Sequence, residues 1–117
     1  MKSVLGIIHS SPTGSSNAHE ALEMLMIYAA FGFEVTVLLS GAGVLQLQKE
    51  QHPEVLNIKN HSALFAALEI YEIKQLLVDQ KAVHEYQIEA DDNLHFDLID
   101  QATIKDYIAA HNEVLNF

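Results

Sequence analysis

The sequence predicts an α/β fold, a three-layer α/β/α arrangement built on a mostly parallel five-stranded sheet. Short runs rich in Val, Leu and Ile recur along the chain, and segments with helical i, i+3, i+4 spacing of apolar residues lie between them. Turn and cap residues stand at the joins. Strands and helices that alternate in this way assemble into parallel sheets through right-handed crossovers, with helices on both faces.

Ser3 to Ile8 is apolar without strong alternation, as expected of a strand buried on both faces. It leads into a turn-rich stretch, His9 to Ser16. Asn17 followed by Glu20 has the form of a capping box. Ala18, Ala21, Leu22, Leu25, Met26 and Ala29 then recur at helical spacing, and Gly32 is placed to end that helix in a left-handed conformation. Val35 to Leu39 makes a second strand, broken by Ser40-Gly41-Ala42-Gly43, whose two glycines tolerate positive φ. Val44 to Leu47 reads as a short helical turn. The polar segment Gln48 to Asn60, with Pro53 inside it, reads as a surface excursion.

Leu64, Leu68 and Tyr71 predict a helix over Ala63 to Tyr71, capped by Asn60 or Ser62. Gln75 to Val78 is the third strand, Lys81 to Gln87 a short helix, and Glu89 to Asp92 a solvated acidic link. Phe96 to Ile99 is the fourth strand. Asp100 caps a helix carrying Ile104, Tyr107 and Ile108, and Val114 to Phe117 supplies the fifth strand. A single domain spanning residues 1–117 is expected.

Composition narrows the function. The formal charge is -10, and all six basic residues are lysines, with no arginine among them. Binding to nucleic acid draws on cationic side chains, with arginine making the bidentate contacts, so direct nucleic-acid binding is not expected. The same charge disfavours an anionic membrane surface, and no apolar run approaches the roughly 20 residues of a bilayer span. The apolar run after Lys2 is too short for a secretory signal and leads into a capped helix, so a cytoplasmic location is expected. The chain has no cysteine, which removes disulfide, thiol and persulfide chemistry.

Ligand sites in open parallel sheets form beyond the carboxyl ends of the strands. Three segments sit there: His9 to Ser16, Ser40 to Val44, and Asp79 to Lys81. The first, with Ser10, Ser11 and Gly14 before a helix start, is composed like a phosphate loop of the flavodoxin type. Its serines and glycine are also ordinary turn and cap residues, and that is the reading the composition favours. His9, His19, His52, His61, His84, His95 and His111 show no paired-ligand spacing, and Glu89, Asp91 and Asp92 lack the pattern of a calcium loop, so no metal is expected. No serine lies in a GxSxG elbow. Neither a cofactor nor a catalytic residue is expected. Met24 to Tyr28 makes the first helix apolar almost all round, which fits burial on more than its sheet face or a subunit interface.

The order of landmarks resembles the DsrE-like family over essentially the whole chain, and within it the TusC/DsrF branch. The landmarks are the first strand with its small-residue loop at Ser10 to Gly14, Ala18-His19-Glu20-Ala21-Leu22, and Gly43-Val44-Leu45-Gln46-Leu47. Leu68-Glu69-Ile70-Tyr71-Glu72-Ile73-Lys74-Gln75 and the terminal Val114-Leu115-Asn116-Phe117 complete them. The resemblance implies a subunit of a heterohexamer formed with TusB-like and TusD-like chains, passing sulfur toward a TusE-like carrier and toward 2-thiolation of the tRNA wobble uridine. In the Dsr counterpart the relay serves sulfur oxidation.

The resemblance implies that the working cysteine of the TusD/DsrE-type subunit lies just after the third strand, and Asp79 stands at or near its place. An aspartate cannot hold a persulfide, so the resemblance implies a non-catalytic subunit whose part is assembly, shaping a partner's site or docking a carrier. Ser10, Ser11, Gly14, Gly41, Gly43, Val44 and Leu47 are its candidate loop or interface residues. A small flavodoxin-like phosphate or flavin binder and a stand-alone homo-oligomeric DsrE-like protein are the alternatives.

Overall fold

The computed structural model describes residues 2–10, 17–48, 68, 70, 71, 73, 75–90 and 95–117. Its elements are β1 (Ser3–Ile8), α1 (Asn17–Ala30), β2 (Glu34–Leu39), a 3₁₀ helix (Gly41–Leu47), β3 (Gln75–Asp79), α2 (Gln80–Glu85), β4 (Asp97–Ile99), α3 (Gln101–Ala110) and β5 (Glu113–Asn116). The strands form one five-stranded sheet in the order β4-β3-β2-β1-β5. Every pairing in it is parallel. Among the described residues no helix is long and apolar enough to cross a membrane.

Strand order decides which helices share a face. The chain steps in one direction from β1 to β2, β3 and β4, so right-handed crossovers place every intervening element on the same side. The return from β4 to β5 runs the opposite way across the sheet and puts α3 on the other side. Side-chain alternation along the strands fills the two layers. Val4, Ile8, Val35, Val37, Leu39, Leu76 and Val78 pack with Ala21, Leu22 and Leu25 of α1, Val44 and Leu47 of the 3₁₀ helix, and Ala82 of α2. On the opposite face Leu5, Ile7, Leu38, Leu77 and Ile99 meet Ile104 and Tyr107 of α3.

The second layer has polar ties as well. Thr36 is buried on the α3 side of β2. His111 reaches it with Nε2, 3.3 Å from Thr36 Oγ1, while Nδ1 lies 2.6 Å from the Tyr107 carbonyl oxygen. With the proton on Nδ1 directed at that carbonyl, Nε2 accepts from the threonine hydroxyl, and the buried group is satisfied. Gln75 Nε2 donates to the Tyr107 hydroxyl at 2.9 Å, a further tie between sheet and helix.

Two helix ends follow one pattern. At the end of α1, Gly32 takes φ +90°, its N–H donates to Ala29 O, and Phe33 N–H donates to Tyr28 O. These are the two bonds of a Schellman motif, and its apolar contact is the edge-to-face pair of Tyr28 and Phe33, 5.1 Å between ring centres. At the end of α2, Gln87 N–H donates to His84 O and Ile88 N–H to Val83 O. Here the left-handed position holds Gln87 at φ 52°.

Several sequence-based boundaries shift. β2 begins at Glu34, β3 runs on to Asp79, β4 begins at Asp97, and the short helix is Gln80–Glu85, not Lys81 to Gln87. β5 is Glu113–Asn116, although Phe117 N–H still donates to Ile7 O. Only one of the two glycines after β2 has positive φ, Gly41 at +50°. Gly43 is required for a different reason, because a Cβ there would collide with the Ile8 carbonyl oxygen. The acidic link is not wholly solvated: Ala90 forms an antiparallel bridge with Gln48, and Glu89 N–H donates to Gln48 Oε1. Within the helix expected over Ala63 to Tyr71, Leu68 and Ile70 are helical and the other residues up to 67 lie outside the described set. The excursion beyond Gln48 and the capping side chain of Asn17 lie outside it too.

The two left-handed caps predict substitutions of opposite sign. A Cβ on Gly32 meets nothing within 4 Å, so Gly32→Ala carries only the conformational penalty, roughly 1–2 kcal/mol of lost stability. Gln87→Gly relieves the same kind of strain and is expected to raise stability by about 0.5–1 kcal/mol. Urea denaturation of both variants beside the wild type measures the two changes, and equal signs would contradict the assignment of these caps.

Candidate functional site

The carboxyl ends of β1, β2 and β3 lie side by side, because the parallel register pairs Ile8 with Leu39 and Leu39 with Val78. Asp79 is the last residue of β3 and the N-cap of α2. Alternation turns its side chain toward the α3 layer, and only 6% of its surface is exposed. A carboxylate so placed needs donors. Three are supplied from three elements. Lys81 N–H donates to Oδ1 at 3.0 Å, Gln101 Nε2 donates to Oδ1 at 3.0 Å, and the Ser40 hydroxyl donates to Oδ2 at 2.9 Å. Asp79 therefore ties the end of β2 and the start of α3 to the start of α2.

A second polar cluster stands where β1 meets β5. His9 Nε2 is hydrogen-bonded to Asn116 Oδ1 at 3.1 Å, and the Ser10 hydroxyl donates to the Phe117 carbonyl oxygen at 3.0 Å. His9 N–H donates to the same carbonyl. Serine, histidine and aspartate thus share one rim of the sheet, but not as a nucleophilic triad. In a triad the imidazole stands between hydroxyl and carboxylate. Here Ser40 bonds directly to Asp79, and His9 pairs with Asn116.

An open groove of about 510 Å³ borders the Asp79 end of the sheet, lined by Gln80, Lys81, Val83, His84, Leu98 and Asp100. Asp100 is the N-cap of α3, and its carboxylate accepts from Thr103 N–H at 2.8 Å. Hydrogen bonding to Thr103 holds its pKa below the ordinary aspartate value of 3.8. Among the described residues no three metal-binding side chains come together.

The residues singled out in the sequence separate by where the structure places them. Asp79 is the hub of a hydrogen-bonded cluster, and Ser40 and Gln101, which carry no motif of their own, are its partners. Alternation along β3 and the capping geometry place them together, which only the strand register reveals. Gly43, Val44 and Leu47 are buried in the chain's own core, so the 3₁₀ helix offers a partner none of these side chains. Gly41 is half-buried on the rim beside His9. Ser10 is half-buried with its hydroxyl engaged by Phe117, and Ser11 and Gly14 lie outside the described residues.

Removing the Asp79 acceptor leaves donors from three elements without their partner. Asp79→Ala is expected to lower stability by roughly 1–3 kcal/mol, and Asp79→Asn, which retains one acceptor oxygen, by less. Urea melts test the order of the two. Asp100 carries a pH signature. Its folded pKa is depressed, so its stabilising effect is complete above the unfolded value and is lost as pH falls through the folded one. Asp100→Ala is therefore expected to be less stable than the wild type at pH 7, with the gap closing below the ordinary value of 3.8. Denaturation midpoints at neutral and acid pH check this.

Comparison with known proteins matches residues 2–117 to the model of the DsrE/DsrF-like family. Protein TusC of Buchnera aphidicola is 28% identical over 119 aligned positions, covering 100% of both chains. The intracellular sulfur oxidation protein DsrF of Allochromatium vinosum is 30% identical over 107 positions, 92% of this chain and 79% of that one. The crystal structure of the ychN protein from E. coli superposes with a TM-score of 0.79 over 100% of both chains, at 12% identity, a likeness of fold. By the family match across its length and by these two relatives, the chain belongs to the DsrE/DsrF-like family, on the side of its TusC and DsrF members.

Proposed function

We propose that the chain is a TusC-like subunit of a sulfur-relay complex and takes no covalent part in the transfer. It assembles with TusB-like and TusD-like subunits in a cytoplasmic heterohexamer, serves 2-thiolation of the tRNA wobble uridine, and helps to receive a TusE-like carrier. The TusC and DsrF relatives support the relay. The observation that carries the silent role is Asp79. At the place where the family resemblance puts the working cysteine, this chain has a buried carboxylate held by Ser40, Lys81 and Gln101, in a sequence without any cysteine. A carboxylate offers no sulfur nucleophile, so persulfide must travel on a partner's thiol.

Co-expression with the TusB-like and TusD-like chains of the same organism, followed by native mass measurement, tests the proposal. The expected outcome is a complex containing this chain in equal number with the other two. When that complex is loaded from a persulfide donor, the added sulfur mass is expected on the TusD-like chain and not on this one. Recovery of this chain alone from every preparation would refute the proposal.

A further inference from the structure

β4 is the last strand on one side of the sheet, and no described residue pairs with its outer flank. A strand in that position turns part of its backbone N–H and C=O groups away from the sheet, where they can receive one further strand. Its three residues serve different faces. Asp97 pairs with Leu77 and Ile99 with Asp79, so both point to the α3 side, whereas Leu98 pairs with Val78 and points to the α2 side. Ile99 is buried and Asp97 exposed, and Leu98 is 50% exposed although Val78 beside it is fully enclosed. The opposite edge differs. There Val114 and Leu115 of β5 are half-buried against the two core layers.

Leu98 borders the groove of about 510 Å³, whose lining is mixed: Leu98 and Val83 are apolar, and Gln80, Lys81, His84 and Asp100 complete it. A strand laid beside β4 would place one side chain over Leu98 in this groove and its neighbours on the α3 face, one of them beside Asp97. An apolar side chain suits the first place and a lysine or arginine the second. A second copy of this chain does not meet that pattern. Pairing two β4 strands about Leu98 would gather Asp97 and Asp100 of both copies along one short ribbon, and the net charge of -10 on each adds repulsion. Short edge strands and exposed charges keep like chains apart, and these carboxylates do so without excluding a basic segment.

We infer that the β4 edge, with the groove beside it, receives an extended segment of a different protein chain, which adds to the sheet as a further strand and carries an apolar residue next to a basic one. The inference rests on the sulfur-relay proposal for the existence of such a partner, and it adds the place of contact, the backbone form of the occupant and its side-chain pattern.

The test compares the wild-type chain with Leu98→Lys and with Asp97→Lys, each co-expressed with the TusB-like and TusD-like chains. Both side chains are exposed, so the isolated variants are expected to melt within a few degrees of the wild type, which separates docking from folding. The expected result is that the wild type assembles, Leu98→Lys lowers its share of the complex by roughly tenfold or more, and Asp97→Lys lowers it to a smaller extent. In the wild-type complex, hydrogen exchange at one or more amides of Asp97–Ile99 is expected to slow by roughly tenfold or more relative to the isolated chain, as added backbone hydrogen bonds require. Unchanged exchange at β4, or a Leu98→Lys variant that assembles like the wild type, would overturn the inference and leave the sulfur-relay proposal standing. Failure of the wild type to assemble would remove both. Sedimentation of the isolated chain gives the remaining arm: a homodimer dissociated by Leu98→Lys would assign the edge to a second copy and overturn the inference.

Discussion

The sheet has to be covered on both faces, and its strand order makes the two covers unequal. Three successive crossovers in one direction place α1, the 3₁₀ helix and α2 on one side, and only the return from β4 to β5 places α3 on the other. No residue of α3 is buried, yet Leu5, Leu38 and Leu77 beneath it are fully enclosed. That layer relies on a few specific ties, His111 to Thr36, Tyr107 to Gln75 and Gln101 to Asp79, to keep the helix seated. Asp79 thereby has two structural duties. It caps α2 on the crowded side, and through Gln101 it holds the first turn of α3 on the sparse side.

The legibility of the sequence followed the same division. β1 and β2 lie inside the sheet with both faces covered, and a strand of that kind is a plain apolar run that can be read directly, save for the exposed Glu34 that opens β2. β4 is an edge strand of three residues with Leu98 half exposed, so its apolar signal is short and its start was placed one residue early. The glycines after β2 were legible as a break but not in their separate duties. Composition points to positive φ for both, whereas Gly43 is needed for close approach to the Ile8 carbonyl, a tertiary contact with no local signal. The segments holding Ser40, Asp79 and Lys81 were legible as strand ends on one rim, but their bonds to one another and the part of Gln101 were not. Ser40 and Gln101 are 39 and 22 positions away from Asp79, and the register of parallel strands brings them together.

α1 and the 3₁₀ helix differ in which of their apolar side chains stay exposed. Val44 and Leu47 point between β2, β3 and α2, where they complete the first core layer. α1 has already buried one face in that layer. Its apolar character goes beyond what the sheet can absorb, and the surplus falls on Met24, Ile27 and Phe31. An apolar residue at any one of these positions would be unremarkable on a protein surface. Here Met24, Ile27 and Phe31 are exposed together on one side of the helix and its end.

The environment of Asp79 bears on the silent role proposed for this chain. The end of β3 meets a backbone N–H from the next turn, a hydroxyl from the neighbouring strand end and an amide from the start of α3. Donors directed at one point satisfy an acceptor there, whichever side chain carries it. A thiol in such a place would have its thiolate favoured, which is what sulfur transfer requires, and the Asp79 side chain accepts from the same donors. Exchange of cysteine for aspartate can then remove the chemistry while keeping the hydrogen bonds that hold β2, β3 and α3 in register. On the proposed reading, aspartate at this strand end gives up sulfur chemistry without giving up the ties among β2, β3 and α3.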